Sequence, residues 1–215
     1  MDEASVRQLL VIGAGQAGLA MGYHLQRAGT DFVIVDSGSQ VGHVWRSRWD
    51  SLRLFTPAQY AGLPGVPFPA PADSYPGRDD VADYLAAYAE RLSLPIQLDT
   101  TITSLTKTSD RFTATSSTGQ TVHAKQVVVA TGPFSRPFTP ALAAALDENL
   151  GQLHTVDYRN PTQIPPGPVL VVGGGNSGFQ IAAELADVGH QVELAEDCRN
   201  ACAPQRPHGR DVFWW

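Results

Sequence analysis

Ten residues near the N-terminus, Leu9 to Gly18 (LLVIGAGQAG), restrict what this chain can fold into more than any other stretch. Leu9-Leu10-Val11-Ile12 is an apolar run too short for a helix, and it reads as a strand buried on both faces of a parallel sheet. It ends on Gly13-x-Gly15-x-x-Gly18. The first glycine permits a tight turn, the second lets backbone approach a pyrophosphate, and the third lets the next helix pack closely on the strand. The N–H groups that open this helix, with Ala14, Gln16 and Ala17 between the glycines, face an incoming anion with the helix dipole behind them. A second strand, Asp31 to Val35, runs into Asp36, an acid placed to accept hydrogen bonds from an adenosine ribose, with Ser37 beside it. Strand, glycine turn, helix, strand and acid in this order point to a dinucleotide-binding unit.

The same pattern returns late in the chain. Val169-Leu170-Val171-Val172 is followed by Gly173-x-Gly175-x-x-Gly178, then a predicted helix from Phe179 to Val188 closed by Gly189. A strand from Gln191 to Ala195 ends on Glu196. The interval from first glycine to strand-end acid is identical in the two units. Recurrence at one spacing is a more specific signal than either motif alone. The second turn carries Asn176 and Ser177 where the first carries Gln16 and Ala17.

Between the units, Gln16 to Ala28 reads as a helix capped by Gly29, and residues 37–46 as a polar, glycine-containing loop with Trp45 and Arg46. Gly62 to Gly77 holds five prolines and is expected to be an irregular excursion laid over a cofactor cleft. Asp79 to Leu92 is a helix with acids in its first turn, and Val81, Leu85, Tyr88 and Leu92 share its apolar face. Residues from about 96 to 126 read as a small β-meander, followed by the buried strand Val127-Val128-Val129 and the turn Ala130-Thr131-Gly132. Pro140 to Asn149 reads as a short helix. The fold class is therefore α/β: two Rossmann-like dinucleotide-binding units with a small β-meander between them, the second unit incomplete. The first domain is expected over 1–165 and the second over 166–215.

The net charge of −6 leaves no basic footprint for nucleic acid, and no apolar run approaches a membrane span. The acidic N-terminus lacks the regions of a signal peptide, so the cytoplasm is the expected compartment. Cys198 and Cys202 are spaced unlike a redox Cys-x-x-Cys and read as incidental surface thiols. Asp79, Asp80 and Asp83 read as helix N-terminal charges, and no metal site is expected.

With both units in view, the chain resembles the N-terminal part of the class B flavoprotein monooxygenases, which include the flavin-containing monooxygenases and the plant auxin-forming enzymes. The likeness is carried by GAGQAG at 13–18, GHVWRSRW at 42–49, SLRLFTP at 51–57, YPGRDDVADYL at 75–85, VVVATGPFSRP at 127–137, HTVDYRNP at 154–161 and VLVVGGGNSGFQIAAEL at 169–185. The resemblance implies FAD on the first unit and NADPH on the second. One oxygen atom of O2 would pass through a C4a-peroxyflavin to a small organic substrate, the partner implied besides O2 itself. Gly13, Gly15, Gly18 and Asp36 would hold FAD. Trp45, Arg46 and Thr56 would lie along the flavin, with Ala130, Thr131 and Gly132 at the crossover between domains. Gly173, Gly175, Asn176, Ser177 and Gly178 would cradle the nicotinamide dinucleotide.

Four features depart from that family. Gly151 and His154 are separated by two residues where the family signature has three. Pro57 stands where the flavin-containing monooxygenases place an active-site asparagine. Glu196 occupies the position facing a ribose 2′-phosphate, which favours NADH by charge repulsion, although Arg199 could clamp that phosphate. Family members continue well past Trp215, so a bare sheet edge is expected, covered by self-association or a second chain. Two rival readings keep the nucleotide fold: a reductase or oxidase without oxygen insertion, and a nucleotide-binding protein without catalysis.

Overall fold

The structure, a computed structural model, describes residues 6–134, 136–196, Arg206 and Asp211. It comprises two compact units. The first takes in Met1–Arg46, Ala61–Pro69 and Asp79–Arg136, and the second Ser47–Tyr60, Ala70–Arg78 and Pro137–Trp215. Residues 47–60 and 70–78 thus group with the later part of the chain, so contact does not follow a single cut in the sequence.

In the first unit, strand β1 (Arg7–Ile12) leads through the glycine turn into α1 (Gln16–Arg27) and back to β2 (Phe32–Val35). Of two short helices, α2 (His43–Arg46) occupies a stretch read from sequence as a loop, and α3 (Ala58–Ala61) lies mostly in the second unit. Helix α4 (Arg78–Arg91) is followed by β3 (Ile96–Gln97), β4 (Ile102–Lys107), β5 (Phe112–Ser116) and β6 (Thr121–Val129). These strands form one sheet in the order β3-β2-β1-β6-β5-β4.

The meander is therefore continuous with the parallel sheet. Residues Thr121 to Ala124 of β6 pair antiparallel with β5, while Ala124 to Val129 pair parallel with β1. The two-residue β3 lies parallel to β2 and belongs to the dinucleotide fold. Leu10, Val11, Ile34 and Val35 are fully buried, and each such side chain contributes on the order of 1.5–3 kcal/mol. On one sheet face Leu10, Val33 and Val35 pack with Ala114 and Ala124. On the other, α1 comes close enough that a methyl on Gly22 would lie 2.9 Å from Ile34 Cδ1.

Helix α4 buries Val81, Leu85 and Tyr88 as the periodicity predicts, with Ala82, Tyr84 and Ala89 as well. Residues 62–69 of the proline-rich excursion dock on its tyrosines. The Tyr84 hydroxyl accepts from Leu63 N–H (2.6 Å) and donates to Val66 O (2.7 Å), while Tyr88 donates to Pro64 O (2.8 Å). Burial pushes the Tyr88 phenol up to about 12, with neighbouring Tyr84 and Tyr23 adding to the effect.

The second unit holds β7 (Val169–Val172), α5 (Asn176–Asp187) and β8 (Val192–Ala195), with the two strands parallel. Helix α5 starts three residues before the predicted Phe179, because Gly175 is already its N-cap. The segment 140–149 forms only a 3-10 turn, Ala141–Ala145. No described helix is long and apolar enough to cross a membrane.

Candidate dinucleotide sites

Each glycine of the first turn has its own structural reason. Gly13 sits at φ +112°, where its N–H donates to Val35 O (2.7 Å) and a methyl would lie 2.4 Å from Ala130 O. Gly18 backs onto the strand end so tightly that a methyl would lie 1.8 Å from Gly13 O. Gly15, the N-cap of α1, has φ −79° and no atom within 4 Å of a methyl position. No side chain caps this helix and no acid lies in its first turn. Leading N–H groups without helical partners thus face open space over Gly15, Gln16 and Ala17, all exposed. That cradle fits a pyrophosphate.

Asp36 closes the cradle. Its Oδ2 accepts from Ala14 N–H (2.6 Å) and its Oδ1 from Gly38 N–H (2.8 Å). The His43 ring, given no role of its own in the sequence reading, lies on Gly38 with Nδ1 3.6 Å from the same Oδ1. A carboxylate has about four lone-pair sites, so two remain for ribose hydroxyls. Ala130 N–H donates to Ile12 O (2.8 Å), and Thr131 and Gly132 (φ +72°) follow beside Gly13. Gly13, Ala14, Gly15, Gly18, Asp36 and Ala130 are thereby brought together.

The second turn repeats this geometry. Gly173 has φ +114° and donates to Ala195 O (2.9 Å), and a methyl on Gly178 would lie 1.9 Å from Gly173 O. Gly175 caps α5 without a side-chain cap and again has no atom within 4 Å of a methyl position. Phe179 N–H donates to Gly175 O at 3.1 Å, as Leu19 N–H does to Gly15 O at 2.9 Å. One difference is that Gly173 is exposed and has nothing against a methyl position. Among the described residues, no strand of the second sheet stands where β6 stands beside Gly13.

The remaining sequence candidates distribute as follows. Ser37 is exposed, Trp45 is half-buried on α2, and Thr56 is half-buried in the second unit. The Arg46 guanidinium donates to Asp83 of α4, whose carboxylate is 71% exposed. Surface pairs of this kind contribute under about 1 kcal/mol. Trp49 is only 3% exposed and is a core residue. Cys198, Arg199 and Cys202 lie outside the described residues. Among the described residues no group of three His, Cys, Asp or Glu is placed to hold a metal ion.

Within the second unit, three ties hold the motif segments to α5 and to one another. The Gln180 amide pairs with both backbone groups of Arg53, accepting from its N–H (3.2 Å) and donating to its oxygen (3.0 Å). The buried Tyr158 hydroxyl donates to Glu184 Oε2 (2.7 Å), and burial together with that carboxylate raises the phenol well above its ordinary value. Asp50 accepts from Asn160 Nδ2 (2.8 Å), while its own N–H donates to Arg159 O (2.7 Å). His154 accepts from Val156 N–H (3.1 Å) within its own loop. The resemblance had marked these segments, but no sequence signal announced their partners.

Residues 10–206 match the model of the pyridine nucleotide-disulphide oxidoreductase family. The chain is 46% identical over 207 residues to an uncharacterized CzcO-like oxidoreductase of Geobacillus kaustophilus, covering 96% of this chain and 59% of that protein. It is 31% identical over 211 residues to the probable indole-3-pyruvate monooxygenase YUCCA9 of Arabidopsis thaliana, covering 95% of this chain and 50% of the relative. A flavin monooxygenase mutant from Stenotrophomonas maltophilia superposes with a TM-score of 0.88 at 32% identity, over 98% of this chain and 62% of that one. The chain thus spans between half and about three fifths of the length of these relatives.

Proposed function

The chain belongs to the pyridine nucleotide-disulphide oxidoreductase family, and on that premise we propose that it is the nucleotide-binding part of an FAD-dependent, NAD(P)H-using monooxygenase. The observation that carries the reading is the pair of glycine turns, each with an open helix N-terminus and an acid ending the following strand. The flavin monooxygenase and indole-3-pyruvate monooxygenase relatives support the assignment of FAD and of oxygen insertion.

Residues 1–165 serve the FAD and 166–215 the nicotinamide dinucleotide. In the first site, the N–H groups of Gly15, Gln16 and Ala17 bind the FAD pyrophosphate. Asp36 receives the adenosine ribose, held in place by the Ala14 and Gly38 N–H groups. Ala130, Thr131 and Gly132 back the turn, and Ser37, Trp45 and Arg46 of the same unit complete the flavin contacts. In the second site, Gly173, Gly175, Asn176, Ser177 and Gly178 hold the pyrophosphate of the nicotinamide dinucleotide. When bound, the flavin supplies hydride acceptance and activation of O2. The chain's own contribution is to bind and orient both dinucleotides.

The test is to load the purified protein with FAD, reduce it anaerobically with NADPH or NADH, and admit 18O-labelled O2 with a panel of small nucleophilic and carbonyl substrates. Label in an organic product is expected. Hydrogen peroxide as the sole oxygen product would make it an oxidase or reductase. A protein that retains no flavin on gel filtration would remove the enzymatic reading of these residues.

A further inference from the structure

We propose that the second unit selects a nicotinamide dinucleotide without a 2′-phosphate, NADH over NADPH, and that Glu196 seated over Gly174 decides this. The inference rests on the reading of the second glycine turn as a dinucleotide site. Its starting point is the internal repeat. Every position of the first turn has a counterpart at one fixed offset: Gly13 with Gly173, Gly15 with Gly175, Gly18 with Gly178, Gly29 with Gly189. At that offset Ala14 corresponds to Gly174 and Asp36 to Glu196.

The two substitutions compensate each other. In the first unit the short Asp36 reaches Ala14 N–H and leaves the alanine methyl undisturbed. In the second, the longer Glu196 lies across the turn itself. A methyl on Gly174 would be 2.4 Å from Glu196 Oε2 and 2.6 Å from its Cβ. Glycine at 174 is what makes room for a glutamate folded against the turn. The result places a carboxylate at the C-terminal end of β8, where the adenosine ribose of a bound dinucleotide arrives. The first turn uses the same arrangement for the ribose of FAD, which carries no 2′-phosphate. The second retains it.

The stretch that forms the second turn, its helix and the following strand carries no cation to neutralise a phosphate. From Gly173 through Glu196 there is no lysine or arginine, while Glu184, Asp187, Glu193 and Glu196 are all acidic. A 2′-phosphate carries about 1.5 to 2 negative charges near neutral pH. Brought to about 4 Å from an exposed carboxylate, it loses roughly ten- to thirty-fold in affinity even at the dielectric of water. Arg199 follows Glu196 by three residues in sequence and lies outside the described residues, and so it enters the test.

The test is equilibrium binding of NAD+ and NADP+ to the purified full chain, read by quenching of tryptophan fluorescence and by calorimetry, for wild type, Glu196→Gln and Arg199→Ala. The wild type is expected to bind NAD+ about ten- to thirty-fold more tightly than NADP+. Added salt should narrow that ratio. Glu196→Gln keeps an acceptor for the ribose and is expected to bring the ratio within about threefold, mainly by tightening NADP+. Arg199→Ala should leave NAD+ binding and the order of preference unchanged. Equal or tighter binding of NADP+ by the wild type, or a ratio unmoved by Glu196→Gln, overturns the inference while leaving the dinucleotide site standing. Binding of neither nucleotide overturns the inference together with the site.

Discussion

Substituting Gly15 by alanine should separate binding from folding within a single motif. At φ −79° and ψ −171°, Gly15 has a backbone that alanine adopts without strain. Nothing lies within 4 Å of the added methyl. Two small effects on stability then oppose each other. Alanine restricts the unfolded chain, worth about 0.4–1 kcal/mol in favour of folding, whereas it is a poorer N-cap than glycine by a comparable amount. The net change in unfolding free energy is expected within about 1 kcal/mol of zero. Binding should respond very differently, because the methyl enters the space over the helix N-terminus. Loss of two N–H contacts to a pyrophosphate, each worth about 1.5–3 kcal/mol, weakens FAD by at least about a hundredfold. Gly18→Ala is the matched control. Its methyl would lie 1.8 Å from Gly13 O and 3.0 Å from the same carbonyl carbon, both backbone. The turn must deform, at a cost of at least about 1–3 kcal/mol before any ligand is added. Urea unfolding of the FAD-free proteins and FAD fluorescence titration measure the two quantities separately. The reasoning is refuted if Gly15→Ala lowers FAD-free stability as much as Gly18→Ala, or if it binds FAD like the wild type.

Three further outcomes follow from the same geometry. Gly175→Ala should weaken nicotinamide dinucleotide binding by a similar factor, and it should leave FAD affinity unchanged in a fluorescence titration. Tyr158→Phe removes the donor to Glu184 and should destabilise the protein by about 1–3 kcal/mol in urea, with hydrogen exchange faster in α5. Because Tyr88 is held protonated up to about 12 in the fold, the native state binds more protons than the unfolded chain above the ordinary phenol value. Stability should therefore be flat for this group below about pH 10 and fall as the pH rises through 12. Tyr88→Phe should flatten part of that fall in pH-dependent denaturation, and an unchanged slope would contradict the assignment.

Both glycine turns were legible in the sequence because their requirements are local: a positive φ at Gly13, close approach at Gly18 and open space at Gly15 all leave their mark within six residues. The acid at the end of the second strand was legible from its fixed interval after the glycine turn. The continuity of the meander with the parallel sheet was not, since it depends on β6 pairing with β1 and β5 at once, and either pairing alone satisfies its alternation. Nor was β3, whose two residues are too few to carry a period. In the candidate sites, the engagement of Arg46 by Asp83 and the Gln180–Arg53 amide pair join residues 37 and 127 positions apart. Such contacts are fixed by the packing of whole elements, and one sequence carries no trace of them. His43 fell between these cases: it is close in sequence to Asp36, yet only the fold of residues 37–43 brings its ring onto Gly38.

The central claim is that each glycine turn holds its own dinucleotide. Calorimetric titration tests it most directly, first with FAD and then with a nicotinamide dinucleotide added to the FAD-saturated protein, in wild type, Gly15→Ala and Gly175→Ala. The account predicts one equivalent of each ligand without displacement, with Gly15→Ala losing only the first and Gly175→Ala only the second. Displacement of FAD by the nicotinamide dinucleotide, or loss of both ligands in either variant, would contradict it.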